Sequence, residues 1–78
     1  MKVKELIEQL NKLDPEMKIF RQEDGTFELM QFNGICSDAY IQPKDVEAYR
    51  VEVSVQSGEL KEYEEDYECK FVQVGVLY

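Results

Sequence analysis

The sequence contains no histidine and no tryptophan, and its only cysteines are Cys36 and Cys69. Without histidine, the Ser-His-Asp and Cys-His arrangements of nucleophilic catalysis cannot form, and zinc sites of mixed cysteine and histidine ligands are excluded. Two cysteines alone cannot close a structural zinc site. We expect both thiols to be reduced and buried as small apolar side chains, and a disulfide between them requires the two segments to lie side by side.

The signals of several other sites are also absent. The chain has no glycine-rich phosphate loop, no dinucleotide fingerprint and no EF-hand spacing around Asp24 or Asp66. Paired carboxylates act as acid and base only in a cleft that raises one pKa, which a small core rarely builds. We therefore expect no enzyme activity, no cofactor and no metal site, with weak calcium binding by clustered acids as the metal alternative.

Long apolar runs are missing too. No stretch approaches the length that crosses a bilayer, and no apolar segment follows a basic start as in a signal peptide. The expected location is therefore the cytoplasm. With 78 residues, 44% hydrophobic and 33% charged, the chain has the composition of a folded protein and the length of a single domain, residues 1–78.

Positive charge is scarce, because 9 lysines and arginines stand against 17 acids for a formal net charge of −8. Direct binding to DNA, RNA or anionic lipid is disfavoured, since it depends on cationic side chains that neutralise phosphates. The charge is also uneven. Residues 1–50 hold 10 acids and 7 bases, whereas residues 51–78 hold 7 acids and 2 bases, so the last third is the acidic end.

The first segment predicts an amphipathic helix. Its apolar residues are spaced three or four apart, which places them on one stripe. The stripe consists of Val3, Leu6, Ile7, Leu10 and Leu13. Pro15 disfavours helical geometry at Asp14, so we expect the helix to end there and to pack its stripe on a sheet.

Two segments around Asp24-Gly25 predict a β-hairpin, because this dipeptide favours a two-residue turn. Residues 17–23 would pair with residues 26–36, with Ile19 opposite Met30 on a face that can take the helix. The other face carries an apolar group that needs cover from the chain or from a partner. This group consists of Phe20, Phe27 and Leu29.

Residues 48–56 predict a half-buried antiparallel strand, because apolar and polar side chains alternate cleanly. The apolar face consists of Tyr49, Val51, Val53 and Val55. Before this strand, residues 35–45 contain Pro43 and follow the turn or bulge signal Asn33-Gly34. We expect an irregular connection there, with a short extended piece.

Residues 71–78 predict a last strand with apolar side chains on both faces. Such a strand is central in its sheet or lies in an interface. Gly75 marks a bulge or a close approach of another segment, and Tyr78 is expected to belong to the fold.

The most distinctive segment is residues 59–68, which carry acids at six positions and one base, Lys61. As a helix, it would turn Leu60, Tyr63 and Tyr67 to the core and fan the carboxylates over its outer surface. As a strand, it would spread the acids over both faces. Gly58 and the tyrosine spacing favour the short helix.

This acidic segment has two interpretations. A solvated face that keeps a small protein soluble is the ordinary role of a charge run. The alternative is a surface for a basic protein patch, steered by the acidic field and anchored by tyrosines, as in proteins that mimic nucleic acid. The candidate partner-binding residues are Glu59, Glu62, Tyr63, Glu64, Glu65, Asp66, Tyr67 and Glu68.

The opening V-K-E-L-I-E-Q-L-N-K-L-D-P-E, residues 3–16, resembles the start of many small phage and prophage proteins, in which such a helix precedes proline and an antiparallel sheet. Many of these proteins have threonine where this sequence has Lys2. Small acidic phage proteins often look like inhibitors of bacterial defence systems, including anti-CRISPR and anti-restriction proteins. The resemblance implies that context, and the host cytoplasm for a phage-encoded chain, but it carries over no functional residue.

Together these patterns predict an α+β fold, with the N-terminal helix packed on an antiparallel sheet of about four strands and a short acidic helix before the last strand. The leading hypothesis is a non-catalytic acidic protein that occupies a basic nucleic-acid-binding surface of a host bacterial protein by charge mimicry. The alternative is an assembly module that forms a homodimer through residues 71–78 or through the group of Phe20, Phe27 and Leu29. Monomer and homodimer both stay open.

Overall fold

A computed structural model describes residues 1–23, 25 and 28–78 of the chain. This part of the chain has an α+β fold with an N-terminal helix, as the sequence predicts. The elements are α1 (Val3–Leu10), β1 (Ile19–Arg21), β2 (Ile35–Ile41), a 3₁₀ turn (Pro43–Asp45), α2 (Ser57–Tyr67) and β3 (Val72–Leu77).

In the described part of the chain, three strands form one mixed sheet in the order β1-β3-β2. β2 runs antiparallel to β3, whereas β1 runs parallel to it. The sequence predicts about four antiparallel strands instead. The central place of β3 agrees with its apolar residues on both faces, and both of its edges are occupied by neighbouring strands within the chain.

The pairing of β1 differs from the predicted hairpin. Ile19 lies opposite Gly75 and Phe20 opposite Val76, both on β3, so Ile19 does not pair with Met30. Pairing with β3 packs Phe20 against the core of Ala39, Ile41 and Val74, although Ile19 and Arg21 stay exposed. Tertiary burial therefore overrides the local preference for a hairpin.

The turn of the predicted hairpin falls largely outside the described residues. Three residues are not described: Asp24, Thr26 and Phe27. Gly25 has a φ of 75°, which suits the second central position of such a turn. Residues 28–34 form no strand, and the predicted group with Phe20 is not a single covered face, because Leu29 is fully exposed.

A small apolar core lies on one face of the sheet. Ala39 and Ile41 of β2 pack there with Val74 of β3, and four half-buried side chains surround them: Phe20, Val46, Val51 and Val76. Val55 and Phe71 are also buried. Cys36 and Cys69 are both half-buried and reduced, with no disulfide between them.

Residues 49–54 form no strand, which corrects the prediction for residues 48–56. Within that segment Val55 pairs, with Tyr40 of β2. Two exposed ion pairs, Lys18–Glu47 and Arg50–Glu23, tie the chain on both sides of Tyr49 to residues next to β1. Val46 and Val51 pack against the core on this face of the sheet, and the exposed ion pairs lie at its rim.

The alternation of residues 49–56 survives in part without a ladder. Val51 and Val53 are half-buried and Val55 is buried, whereas Tyr49, predicted on the same face, is fully exposed. A hydrogen bond to the Glu23 carboxylate raises the pKa of the Arg50 guanidinium above its ordinary value. The ion pair thus stabilises the charged form of the Arg50 guanidinium at the rim of the core face.

Packing on the opposite face of the sheet requires a glycine at position 75. The predicted close approach of another segment to Gly75 is confirmed. A Cβ at this position would lie 2.6 Å from Ile19 Cδ1 and 3.7 Å from Leu13 Cδ1. The absence of a side chain lets β1 and the turn after α1 close over β3. Tyr78 belongs to the fold, because its N–H donates to the Gly34 carbonyl at 3.1 Å.

α1 ends at Leu10 and not at Asp14, with Asn11 as its C-cap. After Leu10 the hydrogen bonds tighten, because the Leu13 N–H donates to the Leu10 carbonyl at 3.0 Å. The predicted stripe is therefore divided. Leu6 and Leu13 are half-buried, but the rest of the stripe is exposed: Val3, Ile7 and Leu10. No helix among the described residues is long and apolar enough to span a membrane.

Candidate functional site

The acidic segment folds as the helix α2, as the sequence favours, and Glu68 forms its C-cap. The helical residues Ser57–Tyr67 include five acids and one base, Lys61. Glu68 has a positive φ of 55°, in the left-handed conformation that ends many helices. This conformation places the last predicted acid just beyond the helix, on a turn toward β3.

The first turn of α2 is fixed by Asp38 of β2. The Ser57 N–H donates to Asp38 Oδ1 at 3.1 Å, so a neighbouring strand supplies the acceptor that an N-cap residue usually provides. Cys36 pairs with Val76 and Ala39 with Val74, so β2 has an extra residue in a bulge between them. A bulge of this kind redirects a side chain. Sequence reasoning missed Asp38, because no residue pattern marks the bulge that positions its side chain.

The last turn of α2 is fixed by Glu64, one of the predicted partner-binding acids. Glu64 Oε2 accepts the Phe71 N–H at 2.8 Å, and the Glu64 carbonyl accepts the Cys69 N–H at 3.3 Å. Its side chain is half-buried. The structure thus places Glu64 in the connection to β3 and apart from the other acids.

An aromatic stack joins α2 to the sheet. The ring centroids of Tyr63 and Tyr67 are 6.1 Å apart with the planes 17° from parallel, and those of Tyr67 and Phe71 are 5.8 Å apart. Leu60 and Tyr63 are half-buried, as expected of the side that faces the protein, whereas Tyr67 is 44% exposed. Tyr67 therefore packs between two aromatic rings and still has an exposed side.

Four acids form what we call the acidic face of α2. At about 100° per residue, they fall within an arc of about 120° that points away from Leu60. All four are exposed: Glu59, Glu62, Glu65 and Asp66. Glu68 is exposed just beyond them. The structure therefore brings together most of the predicted acids and separates Glu64 from them.

This arrangement costs the helix stability. Glu62 has like-charged neighbours at both the i,i+3 and i,i+4 positions, and each such pair destabilises a helix by about 0.2–0.5 kcal/mol. Glu65 and Asp66 stand near the negative end of the helix dipole, with no base in the last turn, at roughly 0.3–1 kcal/mol each. Lys61, one turn before Glu65, offsets a small part of the cost. The acidic face is thus held against local electrostatics by the cap and the stack.

A second concave surface lies over the core face of the sheet. This open groove of about 1430 Å³ runs between the strands and residues 46–56. Four of the charged side chains that line it form the ion pairs Lys18–Glu47 and Arg50–Glu23, and Asp38 accepts the Ser57 N–H. Within the described residues, no group of three or more acids and cysteines is arranged to hold a metal ion.

Comparison of the chain with protein-family models, curated proteins and solved structures finds no match.

Proposed function

We propose that this chain is a non-catalytic binding protein whose acidic face docks on a basic surface of a bacterial nucleic-acid-binding protein. By occupying that surface, it excludes the nucleic acid competitively. The resemblance of residues 3–16 to small phage proteins narrows the proposal to an inhibitor of a host defence system, of the anti-CRISPR or another anti-defence type.

The observation that carries the proposal is the clustering of exposed carboxylates at a cost to their own helix. Solubility would be served equally by the same charges dispersed over the surface, without like-charged neighbours on one helix. A dense array of carboxylates instead concentrates negative potential, which steers a basic partner and matches its cationic side chains. Functional surfaces commonly retain groups that reduce stability.

The spacing of the carboxylates supports the same proposal. Side chains three or four residues apart on a helix are separated by about 5–6 Å. Successive phosphates of a nucleic-acid strand rise by about 3.4 Å along the helix axis and follow a wider path around it, so their separation is comparable.

The neighbouring tyrosines support the proposal as well. Tyr67 stands beside the acids, and its ring is already ordered by its neighbours Tyr63 and Phe71. An immobilised aromatic side chain anchors a partner at low entropic cost.

The test is a pull-down from bacterial lysate with two matched variants. One variant neutralises the acidic face (Glu62→Gln, Glu65→Gln, Asp66→Asn), and the control neutralises three exposed acids elsewhere (Glu16→Gln, Glu28→Gln, Glu52→Gln). Both carry the same net charge. Captured protein is then challenged with a single-stranded oligonucleotide and with added salt, and the affinity of the purified partner is measured by calorimetry.

The proposal expects the wild type and the control to retain a partner that the oligonucleotide displaces and that salt weakens. The acidic-face variant should bind that partner at least about tenfold more weakly, since several charge contacts are lost together. Equal binding by all three proteins, or a partner that neither the oligonucleotide nor high salt releases, would contradict it.

A further inference from the structure

The groove over the core face of the sheet is lined by apolar side chains that stay accessible. Four half-buried side chains surround the buried core there: Phe20, Val46, Val51 and Val76. All four line the groove, whose volume of about 1430 Å³ exceeds the roughly 300–1,000 Å³ of most small-molecule pockets. Because the groove is also open, it suits the side chains of another polypeptide better than an enclosed small molecule.

Tyr49 adds an aromatic side chain to the lining of this groove, and that side chain is fully exposed. Its neighbours Glu47 and Arg50 form the ion pairs with Lys18 and Glu23 that lie at the rim. A tyrosine ring packs on apolar groups and attracts the cationic head of lysine or arginine over its face. The lining therefore favours a partner segment that carries both an apolar and a cationic side chain.

The charges of the groove are unevenly distributed. The two ion pairs neutralise four of the charged side chains that line it, and the Arg50 guanidinium also has Glu52 nearby, whose charge raises its pKa by less than the hydrogen bond to its ion-pair partner does. Of the remaining three, Asp38 and Glu59 lie where α2 begins, whereas Arg21 lies on β1. The α2 end of the groove thus carries two carboxylates that form no ion pair within the described residues, and it attracts a cation.

Glu59 connects the groove to the acidic face of α2, because it belongs to both. From Glu59 to Asp66 the helix rises about 10 Å, a distance that about three residues of an extended chain cover. One short segment of a partner therefore reaches both surfaces, with basic side chains along the acidic face and an apolar side chain in the groove.

We infer that the groove binds an extended segment of the basic partner, in which an apolar side chain lies next to lysine or arginine residues. The apolar side chain packs against Phe20, Val51 and Val76, and a neighbouring cation pairs with Glu59. The inference rests on the proposed function, because it adds an apolar contact to the one that the acidic face makes through charge. Charge alone attracts many basic proteins, so the groove supplies selectivity among them.

The test uses three synthetic peptides of equal length as probes. The first has a central leucine with two lysines on each side, the second has serine in place of the leucine, and the third has glutamines in place of the lysines. Affinities for the wild type are measured by calorimetry at low salt, and the amide resonances that shift on binding are mapped by NMR.

Two variants of the protein locate the contact. Ser54 is exposed and lines the groove, so Ser54→Trp fills it, whereas Leu29 is exposed and lies outside the lining, so Leu29→Trp is the matched control. Circular dichroism monitors the folding of both. The comparison of the peptides on the wild type needs neither variant, so it tests the inference even when a variant does not fold.

We expect the wild type and Leu29→Trp to bind the leucine peptide roughly tenfold more tightly than the serine peptide, because burial of one leucine side chain is gained. Ser54→Trp should lose that difference, and the glutamine peptide should bind at least about tenfold more weakly than the leucine peptide. The leucine peptide alone should shift the amides of Phe20, Val51 and Val76. Equal affinity for the leucine and serine peptides, equal affinity for the leucine and glutamine peptides, or a leucine preference that Ser54→Trp retains, would overturn the inference.

The acidic-face variant separates this inference from the proposed function. It should weaken both lysine peptides by the same factor and keep the preference for leucine, because the groove is unchanged. Lysine peptides that bind this variant as tightly as the wild type would contradict the role of the acidic face, whereas a missing leucine preference contradicts only the role of the groove.

Discussion

The two helices of this chain differ in almost every physical property. α1 has an apolar stripe, mixed charge and few contacts that hold it, whereas α2 has little apolar surface, a strong negative charge and fixed ends. Asp38 fixes the first turn of α2, and Glu64 with the aromatic stack fixes its last turn. α1 has the better pattern for a helix and yet leaves more of its apolar side uncovered.

This difference teaches that amphipathic pattern and integration into the fold are separate properties. An apolar stripe packs a helix against the apolar surface that is available. In this small chain only Leu6 and Leu13 of the stripe are half-buried. A helix of poor pattern can be held by a few directional contacts instead. The two helices therefore present outward surfaces of different chemistry, an apolar stripe on α1 and an acidic face on α2.

The largest expected effect distinguishes the anchors of the two helices. Phe71 is 8% exposed and its ring packs at a tilt against Tyr67, so Phe71→Ala should lower the free energy of unfolding by about 3–5 kcal/mol. Ile7→Ala in α1 should cost less than about 1 kcal/mol, because the side chain is already half in water. Urea unfolding of the two variants compares the losses. Similar losses would show that α1 is anchored as firmly as α2.

A second comparison separates the structural acid of α2 from those of the acidic face. Glu64→Ala leaves the Phe71 N–H without its acceptor and should destabilise the protein by about 1–3 kcal/mol. Glu62→Ala gains the same helix propensity and removes like-charge repulsion, so it should be neutral or slightly stabilising. Thermal unfolding of both variants gives the difference directly. Equal effects would mean that Glu64 belongs with the other acids.

The smallest effect has the opposite sign. Asp66→Lys converts a like-charged i,i+4 pair with Glu62 into an attractive one and places a base in the last turn of α2. The free energy of unfolding should rise by about 0.5–1.5 kcal/mol, which raises Tm by several degrees in a domain of this size. The same variant should bind a basic partner more weakly. A variant with a lower Tm would remove the electrostatic cost on which the functional proposal depends.

Both helices and the last strand could be predicted from the chain, but β2, which lies in the expected irregular connection of residues 35–45, and most of the pairing could not. The period of Val3 to Leu10 identifies α1, and the tyrosine spacing identifies α2. The parallel pairing of β1 could not be predicted from the sequence. Asp24-Gly25 indicates a hairpin, whereas the strand that pairs with β1 is β3, more than 50 residues away. Residues 48–56 have the alternation of a strand, but Val51 packs against the core on the face of the sheet instead of pairing along its edge.

The same division applies to the candidate site. The sequence determined that α2 would be acidic and that its tyrosines would lie on one side. The absence of histidine also excluded catalysis by histidine and zinc sites of mixed cysteine and histidine ligands. Only the tertiary structure decided which acids face outward, because the role of Glu64 depends on where Phe71 returns and the first turn depends on a bulge in β2. It also decided that the stripe of α1 stays uncovered. Local periodicity defines a helix and its faces, but only the available apolar area and the long-range contacts determine which face is buried.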